Sequence, residues 1–233
     1  MFLSTVETAY ILLSILLLII SYFIGSIPFG IIVGKLACDK DIRYYGSKNI
    51  GSTNAIRVLG KKIGFIVFFL DVFKGMVIII IVKTLRLTNV CTLPIEDLWF
   101  GLAAILGHSF SIFLDFKGGK AVATSLGVVL LICPLAGLLC LVAFVIVLYS
   151  TGYVSLASTF ATLTVLITAW ILYFVGIPNI DINDGLYIIS KTSLTTCIII
   201  SLVSVLIIVK HIKNYKRLLN GTENSFKKNK AKA

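Results

Sequence analysis

Uncharged, apolar segments recur along the whole chain. An α-helix needs about 20 consecutive apolar residues to cross a bilayer, since each residue adds about 1.5 Å. The candidate segments are residues 8–34, 63–82, 98–114, 121–180 and 192–209, in which the only formal charges are Asp71 and Lys74. This pattern predicts a polytopic membrane protein built from helices.

The segment 121–180 is long enough for about three crossings, and two breaks divide it. Proline interrupts a helix at Cys133-Pro134, and Thr151-Gly152 marks a second break. We therefore expect three helices here. The first ends near 133, the second runs from about 134 to 150, and the third runs from about 155 to 176. Together with the other segments this gives about seven transmembrane helices. The fourth and fifth are short, and a re-entrant hairpin is the competing description of that pair.

Basic residues concentrate in two places along the chain. They are Lys35, Lys40, Arg43, Lys48, Arg57, Lys61 and Lys62, and then Lys210, Lys213, Lys216, Arg217, Lys227, Lys228, Lys230 and Lys232. Because cytoplasmic loops are rich in Lys and Arg, we expect both regions inside and the N-terminus outside. Residues 83–97 and 179–191 are expected to form outer loops. The predicted fold class is an all-α integral membrane protein with a cytoplasmic C-terminus. Residues 1–220 would form a single polytopic domain, and 221–233 a basic cytoplasmic tail.

Composition supports this class and changes the meaning of the charge. Of the 233 residues, 58% are hydrophobic and 13% are charged, which excludes a water-soluble globule and a disordered chain. The net charge is +11, from 21 Lys and Arg against 10 Asp and Glu. In a soluble protein that excess would suggest nucleic-acid binding, but here much of it orients the helices. The cysteines form no C-x-x-C pair and the inner side has no carboxylate cluster, so we expect no metal.

The polar segment from Asp41 to Arg57 has the composition of a phosphate site. Gly46 and Gly51 let backbone N–H groups approach an anion, and the hydroxyl and Asn side chains add donors. Arg57 supplies a bidentate fork. A basic loop that contacts anionic lipid is the alternative interpretation.

Three further polar segments are expected on the same side of the membrane. Residues 117–120 (K-G-G-K) offer amide and ammonium groups to one anion, although they lack the spacing of a Walker A loop. Residues 151–158 are rich in hydroxyls, and residues 210–224 place His211 and Asn214 on one helix face. A charged turn and a solvated basic helix are the alternatives when each segment is taken alone. Together with residues 41–57 they predict one phosphate-bearing ligand at the cytoplasmic face.

Two charged residues lie inside a predicted span. Asp71 and Lys74 are one helical turn apart and can neutralise each other. A charge within the bilayer is by default functional, but a structural ion pair that supports the site fits the spacing equally well.

Several motifs follow one another along nearly the whole chain: Gly25-Ser-Ile-Pro-Phe-Gly30, Asp41-Ile-Arg43, Gly46 to Arg57, Asp71-Val-Phe-Lys-Gly75, Gly107-His108, Phe116 to Thr124 and His211 to Glu223. With these motifs the chain resembles the bacterial acyl-phosphate:glycerol-3-phosphate acyltransferase family, known as PlsY. The segment 46–57 is the most specific part of the resemblance. Two positions depart from the family pattern, Ser111 where Pro is usual and Ala121 where Gly is usual.

The resemblance implies a seven-helix enzyme of the bacterial inner membrane with its active site on the cytoplasmic side. It implies transfer of a fatty acyl group from acyl phosphate to the 1-hydroxyl of sn-glycerol 3-phosphate, giving lysophosphatidic acid and phosphate, the first acylation of phospholipid biosynthesis. Expected partners are these two substrates, the lipid bilayer and the enzyme that forms acyl phosphate, without cofactor, acyl-CoA or nucleic acid. The implied catalytic residues are Ser47, Arg57, Lys120, His211 and Glu223. The implied substrate-binding residues are Asn49, Asn54, Lys117, Gly118, Gly119 and Asn214.

The group that accepts the proton stays open at this point. An acyl phosphate is an activated mixed anhydride, so positioning and charge stabilisation can carry most of the catalysis. His211, Glu223 and the substrate's own phosphate are the three candidate bases, and we favour the phosphate because no Ser–His pair is evident. The rival classes are a transporter of a phosphorylated solute and a lipid-binding structural protein.

Overall fold

The computed structural model describes residues 5–176 and 192–226, together with the backbone of two strands between them. Its helices are α1 (Thr5–Ser26), α2 (Phe29–Cys38), α3 (Ser52–Leu59), α4 (Lys61–Leu87), α5 (Asp97–Ser109), α6 (Val122–Ile132), α7 (Pro134–Thr151), α8 (Val154–Val175), α9 (Leu194–Lys210) and α10 (Ile212–Leu219). The strands β1 (Ile180–Asn183) and β2 (Leu186–Ile189) pair antiparallel. The chain divides into two compact units, Met1–Ile132 and Cys133–Ala233.

The predicted helix boundaries in the middle of the chain are confirmed. Helix α7 begins at Pro134, where a missing N–H does no harm in the first turn. It ends at Thr151, and the next residue, Gly152, has a φ of 78°, the left-handed conformation that glycine adopts without strain. Helix α8 then starts at Val154. Local residues fix these boundaries, which is why the sequence pattern locates them.

The first apolar segment differs from the prediction, because the single helix expected over 8–34 is two helices. Pro28 has no N–H to continue α1, and its carbonyl instead accepts hydrogen bonds from Ile31 and Ile32 at the start of α2. The polar segment 41–57 also contains a helix, α3, which the sequence pattern did not indicate. Gly51 precedes α3, and its carbonyl accepts hydrogen bonds from Asn54 N and Ala55 N.

Five helical segments of the described residues are long and apolar enough to cross a membrane: Thr5–Ser26, Lys61–Leu87, Asp97–Leu114, Pro134–Thr151 and Val154–Val175. The number rises to six if α9 and α10, which meet at a bend of 46°, form one span. Helix α6 has only 11 residues. The protein is therefore a multi-pass integral membrane protein, and seven crossings stay a prediction. The predicted outer loop 179–191 falls largely outside the fully described residues, as does the tail from 227 onward.

Small residues bring helices α1 and α5 of the first unit into close contact. A Cβ on Gly25 would overlap the backbone of Ala104, and a Cβ on Gly107 would overlap the carbonyl of Tyr22. Ser21 donates a hydrogen bond of 2.6 Å to the Phe100 carbonyl. Such packing of small residues and side-chain hydrogen bonds is typical of helices inside a bilayer.

The buried pair on α4 is an ion pair that supports the fold. Lys74 Nζ lies 2.8 Å from Asp71 Oδ1, and each side chain is no more than 3% exposed. The same ammonium group donates a hydrogen bond of 2.9 Å to the carbonyl of Ile27, next to the break between α1 and α2. Lys74 thus satisfies a carbonyl at the point where Pro28 interrupts the helix.

Replacing Lys74 with Met is expected to lower the free energy of unfolding by about 3 kcal/mol or more, because it leaves Asp71 buried without its cation. The double variant Asp71→Leu/Lys74→Met should lose less, since both charges are then gone. Thermal unfolding in detergent measures both effects. The account would be contradicted if the double variant lost as much free energy of unfolding as Lys74→Met and Asp71→Leu lose together as single substitutions.

Candidate active site

The loop before α3 is organised by one buried side chain, that of Asn54. Asn54 is 1% exposed. Its Nδ2, which carries two N–H groups, shares them among the carbonyls of Ile42, Tyr45 and Asn49 at 2.9, 3.1 and 2.9 Å, and its Oδ1 accepts a hydrogen bond of 2.8 Å from Ser47 N. One amide therefore fixes four backbone groups of the segment 42–49.

Backbone geometry adds to this arrangement. Gly46 has a φ of 60°, and a Cβ there would overlap Asn54 Oδ1. Asn49 Oδ1 accepts a hydrogen bond of 3.0 Å from Gly51 N, which closes the turn that leads into α3. The half-buried Ser47 and Arg57 belong to this loop and to α3. Asn54 thus contacts the predicted residues Ser47 and Asn49 directly, and Arg57 lies on the same helix, one turn after Asn54.

Asp41 and Arg43 form an ion pair at the start of the same segment. Arg43 Nη2 lies 2.6 Å from Asp41 Oδ2, and Asp41 also accepts a hydrogen bond from the Arg43 backbone N–H. The hydrogen bond from the guanidinium holds the pKa of the Asp41 carboxyl below its ordinary value. The pair fixes a short 3-10 turn over Ile42–Tyr44.

A second group is the turn at residues 115–121, between α5 and α6. Asp115, Phe116 and Ala121 have φ values of 48°, 59° and 57°. Gly119 N donates a hydrogen bond of 2.9 Å to the His108 carbonyl, so the turn is tied to the last turn of α5. Lys117 is exposed and Lys120 is half-buried. The turn therefore presents one cation to its surroundings while its glycines pack inward.

Both departures from the family pattern have a structural account. Ser111 donates a hydrogen bond of 2.6 Å to the Ser26 carbonyl and so ties the loop to α1. Ala121 takes a left-handed φ of 57°, which is about 1 kcal/mol less favourable for alanine than for glycine.

The third group lies at the C-terminal end of the second unit. Asn214 Nδ2 donates to Glu223 Oε1 and Arg217 Nε donates to Glu223 Oε2, each at 2.7 Å. Burial raises the pKa of the Glu223 carboxyl, but these hydrogen bonds outweigh it, and the pKa lies below its ordinary value. Glu223 is therefore an ionised carboxylate with a donor at each oxygen.

His211 begins this group at the end of α9. It is 2% exposed, and its Nδ1 lies 2.8 Å from the Ile207 carbonyl. A carbonyl only accepts hydrogen bonds, so Nδ1 carries a proton and donates it. In the neutral form of the ring, the lone pair therefore lies at Nε2.

The segment after α10 is held against the α7–α8 turn. Phe226 N donates a hydrogen bond of 2.9 Å to the Gly152 carbonyl. Tyr215 OH and Thr159 Oγ1 lie 2.7 Å apart and join α10 to α8. The sequence pattern did not single out Tyr215, because a lone tyrosine among cations carries no local signal. In the part of the chain that the structure describes, no three His, Cys, Asp or Glu residues are grouped as metal ligands.

The fold and its polar groups define a multi-pass integral membrane protein with glycine-rich, cationic turns. The family model described as glycerol-3-phosphate acyltransferase matches residues 15–221. A glycerol-3-phosphate acyltransferase of Acholeplasma laidlawii is 44% identical over 223 residues, which cover 92% of this chain and 93% of the relative. Glycerol-3-phosphate acyltransferase 2 of Bacillus anthracis is 46% identical over 218 residues, with 91% and 98% covered.

Solved structures agree with these matches. The glycerol 3-phosphate form of PlsY (YgiH), an integral membrane glycerol 3-phosphate acyltransferase, has a TM-score of 0.74 and 35% identity and covers 91% of this chain and 94% of that one. The lysophosphatidic acid form has a TM-score of 0.71 and 34% identity, with 91% and 94% covered. The chain therefore belongs to the glycerol-3-phosphate acyltransferase family. It is an enzyme, and the rival interpretations as a transporter or a structural protein are not supported.

Proposed function

We propose that this acyltransferase takes its acyl group from acyl phosphate and transfers it to the 1-hydroxyl of glycerol 3-phosphate. The hydroxyl oxygen bonds to the acyl carbon, the bond from that carbon to the phosphate oxygen breaks, and the hydroxyl proton passes to a phosphate oxygen. The products are lysophosphatidic acid and phosphate. Relatives solved with glycerol 3-phosphate and with lysophosphatidic acid support the acceptor and the product.

The observation that carries the proposal is the loop held by Asn54. Ser47 and Asn49 lie on this loop, and Arg57 lies on α3, the helix that follows it. A guanidinium fork, a hydroxyl and an amide suit the phosphate and the hydroxyls of glycerol 3-phosphate. In this proposal Arg57 binds the phosphate, Ser47 and Asn49 orient the acceptor, and Asn54 holds the loop without contacting the ligand.

The turn at residues 117–120 is proposed to bind the phosphate of the acyl donor. Lys117 and Lys120 provide charge that stabilises the leaving phosphate. Gly118 and Gly119 let the turn between them pack against His108, which places the two cations. Such stabilisation is needed because negative charge grows on the phosphate as the anhydride bond breaks.

The depth of this turn supports a lipid-soluble donor. Helices α5 and α6 have 13 and 11 residues. That is about 20 and 16 Å, against a hydrocarbon thickness of about 30 Å. Lys83 at the end of α4 donates a hydrogen bond of 2.9 Å to the Leu131 carbonyl at the far end of α6. We propose that the turn at residues 115–121, at the opposite end of α6, lies close enough to the bilayer for an amphiphilic acyl phosphate to reach it from the lipid.

The C-terminal group is proposed to act in the same reaction. His211 and Asn214 would contact a substrate phosphate, and Glu223 would hold Asn214 and Arg217 in place. Both oxygens of Glu223 already accept hydrogen bonds, which disfavours this residue as the base. We propose that the proton passes to substrate phosphate, whose second pKa lies near neutrality, and His211 is the alternative base.

We place the enzyme in the bacterial cell membrane with seven crossings, the N-terminus outside and the active site on the cytoplasmic side. The basic residues of 35–62 and of 210–217 support this orientation. The acyl-phosphate-forming enzyme then supplies the donor from the same side. Cysteine labelling at position 7 and at position 213 from each side of sealed vesicles tests the orientation.

The donor is tested with purified protein, radiolabelled glycerol 3-phosphate and either acyl phosphate or acyl-CoA. We expect lysophosphatidic acid from acyl phosphate alone. Arg57→Ala should lower the rate by about 10²-fold or more, because the bidentate phosphate contact is lost. Lys62→Ala, which removes an exposed cation five residues away, is the matched control and should keep the wild-type rate. Product from acyl-CoA but not from acyl phosphate would refute the proposal.

A further inference from the structure

His108 meets the glycine turn with its backbone and its ring. It is 4% exposed and lies in the last turn of α5. Its carbonyl accepts the hydrogen bond of 2.9 Å from Gly119 N. A Cβ on Gly118 would overlap this carbonyl, whereas a Cβ on Gly119 would overlap His108 Nε2. The two glycines therefore pack against different parts of the same residue.

The ring itself is fixed from behind. His108 Nδ1 lies 3.2 Å from Thr124 Oγ1 in the first turn of α6 and 3.7 Å from Asp71 Oδ1 on α4. Asp71 is itself paired with Lys74, whose Nζ lies 2.8 Å from Asp71 Oδ1. A carboxylate near Nδ1 favours the tautomer that carries its proton there. The contacts link the turn to the buried ion pair.

We infer that His108 is a positioning residue of the acyl transfer: its ring, fixed by Thr124 and Asp71, sets the place of Gly119 and thereby of the cations at 117 and 120. The inference rests on the proposed role of this turn in binding the donor phosphate. A displacement of about 1 Å in a positioned group is enough to lower a rate by about 10²-fold. The ring does not exchange protons with the substrate.

The first experiment combines substitutions at His108 with substitutions at each glycine. Gly119→Ala should lower kcat/KM by about 10²-fold in the wild-type background but by about 3-fold or less in His108→Ala, where the methyl group has room. Gly118→Ala is the matched control, because the methyl group that it adds meets the backbone carbonyl of residue 108, which is present whatever the side chain at that position. Its effect should be equal in both backgrounds.

The second experiment separates positioning from folding. Thr124→Val, which removes the hydroxyl beside Nδ1, should raise the KM for acyl phosphate by about 10-fold and leave the KM for glycerol 3-phosphate unchanged. Thr124→Ser keeps the hydroxyl and should restore the wild-type value. A general loss of folded protein would lower kcat for both substrates without this separation.

The outcomes distinguish the inference from the function on which it rests. Independent, multiplicative effects of Gly119→Ala and His108→Ala would overturn the inference. If the effects of Gly119→Ala and His108→Ala are coupled but raise the KM for glycerol 3-phosphate, the positioning role of His108 is supported. The assignment of the turn to the donor phosphate is then refuted. Thermal unfolding midpoints are measured for the wild type, Gly119→Ala, His108→Ala and the double variant. They report the contact between the ring and Gly119 even if acyl phosphate is not the donor. Additive changes in the midpoint would overturn the inference.

Discussion

Replacing Asn54 with alanine is expected to lower kcat/KM by about 10²-fold or more, although Asn54 contacts no ligand in the proposed mechanism. The change frees the carbonyls of Ile42, Tyr45 and Asn49 and the N–H of Ser47. Buried backbone groups without partners are each unfavourable by about 1–3 kcal/mol, so the loop should rearrange to reach water. The groups that Ser47 and Asn49 present to the substrate then move with it.

A second substitution shows which atoms of Asn54 matter. Asn54→Asp keeps an acceptor for Ser47 N but loses the amide that donates to three carbonyls, and it places a negative charge beside them. We expect it to be as inactive as Asn54→Ala. Asn220→Ala, at an exposed asparagine after α10, is the matched control and should retain wild-type kcat/KM. Steady-state rates with both substrates and an unfolding curve for each variant make the test, and an Asn54→Ala enzyme within about 3-fold of wild type would contradict it.

Hydropathy and local breakers predict the transmembrane helices well because both act within a few residues. Pro134 begins α7 and Gly152 terminates it, each through its own backbone geometry and independently of its surroundings. Pro28 also ends a helix through its own backbone geometry. It lies, however, in an apolar segment whose length fits a single span, and for this reason the sequence pattern did not predict the break between α1 and α2. In a membrane protein the apolar pattern reports contact with lipid, and it does not report where a helix bends inside the lipid.

The candidate site is predicted less completely, because its positioning residues act through tertiary contacts. Glycines, hydroxyls and cations mark the loops at 46–57 and 117–120 in the sequence. Asn54, however, looks like a further ligand donor until its side chain is seen bonded to the backbone. His108 looks like a helix-end residue until Gly119 is seen against its ring. Composition identifies the polar loops, and only packing separates residues that bind from residues that hold.

Glu223 is the residue for which that separation has the largest consequence. If it is the base, Glu223→Gln and Glu223→Ala should be equally inactive. If it only holds Asn214 and Arg217, glutamine can replace it: its Oε1 accepts from Arg217, and its Nε2 donates to Asn214 once that amide is turned over. We expect Glu223→Gln to keep turnover within about 10-fold of wild type and Glu223→Ala to lose about 10²-fold or more.

The acid side of the stability profile gives an independent check on Glu223. Its pKa in the folded protein lies below the ordinary value of 4.5. The carboxylate therefore stabilises the fold at every pH above that value, and this contribution is lost as the pH falls through the folded-state pKa. Glu223→Gln should be less stable than wild type at pH 7 and should approach it in acid, which unfolding midpoints measured between pH 3 and pH 7 will show. A Glu223→Gln enzyme that keeps wild-type stability at pH 7 but loses about 10²-fold in turnover would instead identify Glu223 as the base.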